Sequence, residues 1–290
     1  MRDAPNSRRK HYRRVQLDTS TRVPKRGSGS SHATHGGRMD RPALPRDHSG
    51  RRTPQRPLFL DRRDAGGRLA HRLLAFRGPD VVTLGIPRGG LAVAHEVAAS
   101  LRLPLDLVVV NKLRVPHRPD LAFGALAEND IRLIDEVVVR SAMLTATELT
   151  DAKRHGRDRL HRLCQRFRKH DTQAELHGRT ALVVDDGVRT GITARIACQA
   201  AYQRGAVRVV LAVPVAPHRI ARTLTYYADK VVCLETHAQL RPVDQSYQRF
   251  DPLTDADVHE LLHDDTVSAI PVSRSRPTAH GAAAERQVAE

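Results

Sequence analysis

The chain has 290 residues, with 48 Lys+Arg against 32 Asp+Glu and a formal charge of +16. That length admits one large domain with tails or two small domains. Residues 1–57 hold +11 of the charge, so the remainder is only mildly basic and a uniformly polycationic protein is excluded.

Residues 1–57 are rich in Arg, Ser, Gly, Pro and His and nearly lack large apolar side chains. Such a segment cannot bury enough apolar surface to offset its ordering entropy, which predicts a disordered basic tail. It could hold nucleic acid electrostatically. It has no aromatic interleaving or folded nucleic-acid motif, however, and translation from Met39 would remove most of it. Elements then alternate. Helical spacing marks Asp61–Phe76, and a short strand at Val81–Leu84 leads into Gly85-Ile86-Pro87-Arg88-Gly89-Gly90 and a helix at Leu91–Leu101. Leu105–Val110 is an apolar run interrupted only by Asp106, and reads as a parallel strand covered on both faces. Phe123–Ala127 and Ile131–Ile134 read as a hairpin, and Thr145–Arg168 as a long charged helix capped by Thr145 or Thr147. A buried strand at Thr180–Val184, a helix at Thr193–Gln203 closed by Gly205, a strand at Val207–Val213, a helix at His218–Tyr227 and a strand at Lys230–Leu234 complete the series. Residues 263–290 read as a second disordered tail. Repeated β-α-β units predict an α/β domain over 58–262, with a mostly parallel central sheet flanked by helices. Ligands of such sheets bind beyond the C-terminal strand ends.

Cys164, Cys198 and Cys233 form no CxxC pair, and no His cluster has zinc-like spacing. Three reduced thiols are expected. With no apolar run of about 18 residues and no secretory h-region, the reading is a soluble cytoplasmic protein without a membrane partner.

The turn after the Thr180 strand carries the most chemistry. Four apolar residues end in Asp185-Asp186-Gly187-Val188-Arg189-Thr190-Gly191-Ile192-Thr193. Glycines let the backbone approach a ligand. The first amides of the following helix lack intrahelical partners and, with the helix dipole, suit a phosphate dianion. Thr190 and Thr193 can donate hydroxyl hydrogen bonds to the same phosphate, and the two carboxylates can accept from a ribose diol.

This string resembles the signature of the type I phosphoribosyltransferases, which bind phosphoribosyl pyrophosphate (PRPP). The order of elements resembles that family over about 70% of the chain, and most nearly a bacterial branch of generic phosphoribosyltransferase-domain proteins. The resemblance implies transfer of the 5-phosphoribosyl group from PRPP to an acceptor with release of pyrophosphate. It assigns Asp185, Asp186 and Lys112 to catalysis. PRPP binding falls to Arg88, Gly89, Gly90, Asp185, Asp186, Gly187, Val188, Arg189, Thr190, Gly191 and Thr193. Mg²⁺ is implied as cofactor, held chiefly by the substrate and otherwise by Asp185 and Asp186. A cis peptide is implied at Pro87–Arg88, a flexible closing loop at Leu113–Asp120 with Arg114, His117 and Arg118, and an acceptor-selecting hood at Leu240–Phe250. Tyr247 and Phe250 there are candidates for a flat base or for plain packing. Two positions depart from the family. Val243-Asp244 stands where a Val-Gly pair is expected, and Arg189 stands where hypoxanthine- and guanine-handling members place an Asp. An Arg there could meet an anionic acceptor.

Two other readings compete. A PRPP or nucleotide sensor without turnover could use the same fold, with nucleic acid on the basic tail. A receiver-like module would use the acid pair for Mg²⁺, but its acids do not sit in this spacing. A homodimer and the identity of the acceptor stay open.

Overall fold

A computed structural model describes residues 57–168, 173–238 and 240–268, together with the backbone of Leu17–Asp18. The rest of the two tails expected from the sequence lies outside the described residues.

The core is a parallel sheet whose central strands are apolar and buried on both faces. Its strands are β1 (Leu17–Asp18), β2 (Val81–Gly85), β3 (Leu105–Leu107), β7 (Thr180–Val184), β8 (Arg208–Pro217) and β9 (Lys230–His237), in the order β1-β9-β8-β7-β2-β3. A second, antiparallel sheet contains β4 (Val110–Val115), β5 (Arg118–Ala127) and β6 (Ile131–Ile134). Helices α1 (Arg62–Arg72) and α2 (Gly89–Leu101) cover one face of the parallel sheet, with Leu69, Leu73, Val93 and Val97 packed on Leu182, Val184 and Val210. Helix α5 (Ile192–Gln203) covers the other, where Ile196, Ala197 and Ala200 meet Val183, Leu211 and Val213. Five further helices are α3 (Glu136–Ser141), α4 (Ala146–Arg168), α6 (His218–Leu224), α7 (Asp255–His263) and α8 (Asp265–Ser268). The α/β class and helix-flanked parallel sheet agree with the sequence reading. None of the described helices is long and apolar enough to cross a membrane.

Strand order fixes where a ligand can sit. From β2 the chain crosses to β3 on one side, and from β7 it crosses to β8 on the other. The connecting helices leave on opposite faces, so the ends of β2 and β7 stand over an open crevice. Gly85 pairs in register with Val184 there, which places the two glycine-bearing turns side by side.

Several elements differ from the pattern reading. The run Leu105–Val110 divides. The amide of Val108 donates to the Gly85 carbonyl as the last rung, and from Val110 the chain belongs to the antiparallel sheet. Apolar residues continue across Leu107–Val110, so the hydropathy does not mark where one sheet gives way to the other. Leu113–Asp120, expected as a flexible closing loop, is the outer half of the β4–β5 hairpin, turning at Pro116-His117. In β4, Asn111, Leu113 and Val115 are buried while Lys112 and Arg114 are exposed. That is the period-2 alternation of a one-sided strand. Past Leu262 the chain stays packed through α8, where Val267 is buried, and Asp264 lies 3.1 Å from Nε2 of buried His95.

Helix α4 begins with Thr145, whose Oγ1 accepts from the Glu148 amide while the Glu148 carboxylate accepts from the Thr145 amide. Its far end is tied into the sheet by a buried charge network. Arg168 donates to Asp106 at 2.9 Å, to both carboxylate oxygens of Glu128 and to the Leu107 carbonyl. Arg204 reaches the other oxygen of Asp106 at 2.8 Å. Burial alone would raise the Asp106 pKa, but Arg168 and Arg204 outweigh it and hold the carboxyl below its usual range. Removing one partner of such a network strands the others. Arg168→Met should therefore lose about 3–5 kcal/mol of stability in urea denaturation, although it replaces a polar group with an apolar one of similar length.

Candidate functional site

A cleft of about 670 Å³ opens over the ends of β2 and β7. The apolar part of β7, Ala181–Val184, is fully buried and delivers Asp185 and Asp186 to its floor. The turn after them is pinned by the amide of Val188, which donates to Val215 on β8 at 2.8 Å. Gly191, at φ +82°, forms the left-handed N-cap of α5 and supplies no side-chain cap. Only glycine adopts that conformation at little cost. The first amides of α5 are thereby left without a side-chain acceptor beside the cleft. Helix α2 also starts at this crevice, with Arg88 as a cap residue that makes no capping hydrogen bond. Two helix N-termini thus converge, and both dipoles favour an anion between them.

The closeness of α2 to the acids explains the paired glycines. A Cβ on Gly89 would fall on the Asp186 carboxylate, and one on Gly90 would lie 2.8 Å from Oδ1 and from Cα of Asp185. The peptide between Pro87 and Arg88 is cis, where the family resemblance places it.

The two acids are not equivalent. Asp186 accepts from Arg62 Nε at 2.9 Å, and the Tyr247 hydroxyl donates to its backbone carbonyl. Burial raises the Asp186 pKa, and Arg62 opposes the rise. Asp185 accepts from the Asp186 amide at 2.9 Å. Its pKa is pushed well up, first by burial and then by the Asp186 charge, with Lys112 pulling the other way.

Each residue expected to bind at this site lines the cleft except Gly90, which lies behind Asp185. Lys112 projects from β4. Arg88 also faces the cleft, but its guanidinium is paired with Asp255 at the start of α7, at 2.6 Å. Arg189 and Thr190 are exposed on the turn. Of the two roles open to the hood aromatics, the structure gives them packing. Tyr247 is buried behind Asp186, stacked between Phe59 and Phe250 with ring centroids 5.4 and 5.0 Å away. Phe250 lies under Arg62, at 3.7 Å from guanidinium carbon to ring centroid. Neither ring lines the cleft, so both fulfil the packing alternative. Val243 closes that side against Gly187.

Pattern reading did not find Arg62, whose partner is 124 residues away, or the wall formed by α4. Ala152, His155, Gly156, Arg159 and Leu163 of that helix line the cleft. Their spacing of three and four residues is a helical stripe, the one mark in the sequence that could have pointed to this face. Among the described residues, no group of three or more His, Cys, Asp or Glu could hold a metal ion.

Residues 62–249 match the family model described as phosphoribosyl transferase domain. Two proteins of Mycobacterium tuberculosis, strains H37Rv and CDC 1551, carry the name "Putative phosphoribosyl transferase". Each is 48% identical over 205 residues, covering 71% of this chain and 46% of the relative. The chain therefore spans about half the length of the curated relatives it matches. A crystal structure of a protein from Thermus thermophilus is 36% identical, with a TM-score of 0.60, and the match covers 70% of this chain and 97% of that one.

The raised pKa of Asp185 has a consequence for stability. Ionising the carboxyl is harder in the folded state, so above the ordinary Asp value near 3.9 the group opposes folding, and the opposition disappears as pH falls below that value. Asp185→Asn should raise Tm at neutral pH, on a scale of about 2–4 °C for each kcal/mol relieved. The gain over wild type should vanish in scanning calorimetry near pH 3, while Gly89→Ala should lower Tm at both pH values.

Proposed function

The chain belongs to the phosphoribosyl transferase domain family, and on that premise we propose that it binds PRPP and transfers the 5-phosphoribosyl group to an acceptor, releasing pyrophosphate. The observation that carries this reading is the meeting of two uncapped helix N-termini at adjacent parallel strands, with a carboxylate pair between them. Such a floor suits a ligand with a phosphate at each end and a diol in the middle.

In this proposal the turn Gly187–Thr193, through its amides other than that of Val188 and through the hydroxyls of Thr190 and Thr193, holds the 5-phosphate. Asp185 accepts from the ribose hydroxyls. Asp186, held by Arg62, completes the floor and offers its remaining capacity to the same diol. The amide end of α2, Arg88 and Lys112 hold the pyrophosphate. The C1–O bond breaks and its electron pair leaves with pyrophosphate. A lone pair of the acceptor closes on C1, and the acceptor's proton passes to solvent or to a basic group on the substrate. Charge builds on the leaving group and positive charge on the sugar, so the residues act by positioning and by fixed electrostatics.

Mg²⁺ fits this site if it is held mainly through substrate oxygens. A hard cation of this kind takes about six oxygen ligands, and the floor offers two carboxylates, one already paired with Arg62. When bound it would supply further charge neutralisation for the departing pyrophosphate.

Calorimetric titration with PRPP and Mg²⁺ tests the reading. Micromolar binding is expected for the wild type, with affinity falling at least about tenfold for each carboxylate removed in Asp185→Asn and Asp186→Asn. Absence of PRPP binding by the folded wild type would overturn it. Binding without pyrophosphate release toward any acceptor would favour a sensor instead.

A further inference from the structure

The cleft holds cationic side chains beyond those the PRPP reading assigns. With the 5-phosphate assigned to the turn and the pyrophosphate to Arg88, Lys112 and the start of α2, the α4 wall keeps Arg159 and His155 facing the same space. They lie four residues apart, one helical turn, and so share a face. Neither makes a hydrogen bond or ion pair among the described residues. None of the α4 residues lining the cleft is acidic; the acids of the cleft are Asp185 and Asp186 on the floor.

The wall is held in place. Asn111, buried on β4, donates from Nδ2 to the Gly156 carbonyl at 3.0 Å. A Cβ at Gly156 would collide with Leu113, so helix and hairpin meet backbone to side chain. Arg168 fixes the far end of the helix through its buried network. Arg159 and His155 are therefore presented by a packed element.

A second observation is independent of charge. Among the described residues, no Phe or Tyr lines the cleft, and the aromatic residues of the hood are committed to packing behind Asp186. A neutral purine or pyrimidine would find no Phe or Tyr ring to stack on, and the ring the wall does offer is the imidazole of His155.

We propose that Arg159 and His155 form the acceptor's recognition site, and that the acceptor is a small molecule bearing a carboxylate or a phosphate. This inference rests on the transferase reading and names the substrate class for it. The Arg159 guanidinium presents paired N–H donors matched to either anion, and His155 adds a third contact from the adjacent turn. Arg189, exposed on the turn and lining the same cleft, adds positive charge.

The test uses matched pairs that differ in the anionic group: nicotinate with nicotinamide and orotate with uracil for carboxylate, and 4-aminophenyl phosphate with aniline for phosphate. Pyrophosphate release and calorimetric binding are measured on the full chain loaded with Mg²⁺ and PRPP, for wild type, Arg159→Gln and His155→Gln. At least one anionic probe should exceed its neutral twin by about tenfold or more in affinity, the scale of one charged hydrogen bond. Arg159→Gln should bring that ratio to within about threefold through acceptor KM, with PRPP affinity unchanged. Whichever arm shows the preference identifies the anion. Arg159 is exposed, so the variant should fold, which circular dichroism checks; His155→Gln gives a second reading of the same loss. Neutral twins bound as well as anions, a preference that survives Arg159→Gln, or a loss in PRPP affinity in place of acceptor KM would each overturn the assignment while leaving the transferase reading standing. No binding of PRPP by wild type would overturn both.

Discussion

The rest of the site depends on how near one backbone comes to two side chains. The first turn of α2 lies against Asp185 and Asp186 at a separation that leaves no space for a Cβ at 89 or 90. This contact joins the ends of β2 and β7 into one floor. It also shields the acids from much of the water, which raises both pKa values, that of Asp185 further through the Asp186 charge. A buried carboxylate pair opposes folding unless something compensates. Arg62 compensates Asp186 and leaves Asp185 with Lys112 as its nearest named counter-charge. The protein thus holds one acid in a structural ion pair and keeps the other less stabilised, facing the cleft where a ligand can relieve it. Loss of stability at a binding site is the ordinary cost of pre-organising charge there.

Around that floor the walls come from parts of the chain far apart in sequence, and each is fastened by polar contacts rather than by apolar packing alone. Asn111 secures α4 to the hairpin, Arg168 secures its end to the sheet, and Asp255 draws Arg88 toward α7. The apolar clusters alone would tolerate small slides of helix on sheet. Directional bonds in the middle of α4 and at the helix ends fix the distance across the cleft, and that distance determines which anions can bridge it.

Much of this was legible in the chain, and the reason differs from place to place. The turn at Asp185–Thr193 was legible because it compresses strand, glycine hinge and helix start into contiguous residues, each with its own physical requirement. The parallel strands were legible because their residues are apolar on both faces. The division of Leu105–Val110 was not, since hydropathy reports burial and not which sheet provides it. The buried Asp106 within that run was the available hint, for a carboxylate there needs cations brought from elsewhere. Tyr247 shows the limit in another form. An aromatic near a site reads equally well as a contact or as a support, and only its hydroxyl partner, the Asp186 carbonyl, decides between them. The walls of the site beyond the floor depend on contacts that no local spacing encodes.

The contact between Tyr247 and Asp186 has a consequence for the order in which the molecule is made. A chain grows from its N-terminus, and early segments start to fold while later ones are still being added. The donor that holds the Asp186 carbonyl follows it by 61 residues. The ring of Tyr247 is in turn seated on Phe59, near the start of the described domain. On the ribosome, then, the acid pair emerges with Arg62 already synthesised and Tyr247 still to come. The floor reaches its final shape only when the last strand and the segment after it have cleared the exit tunnel. A truncated product ending before that point would carry the whole phosphate-binding turn and still lack the support that sets it, so unfinished chains should not compete for the ligand.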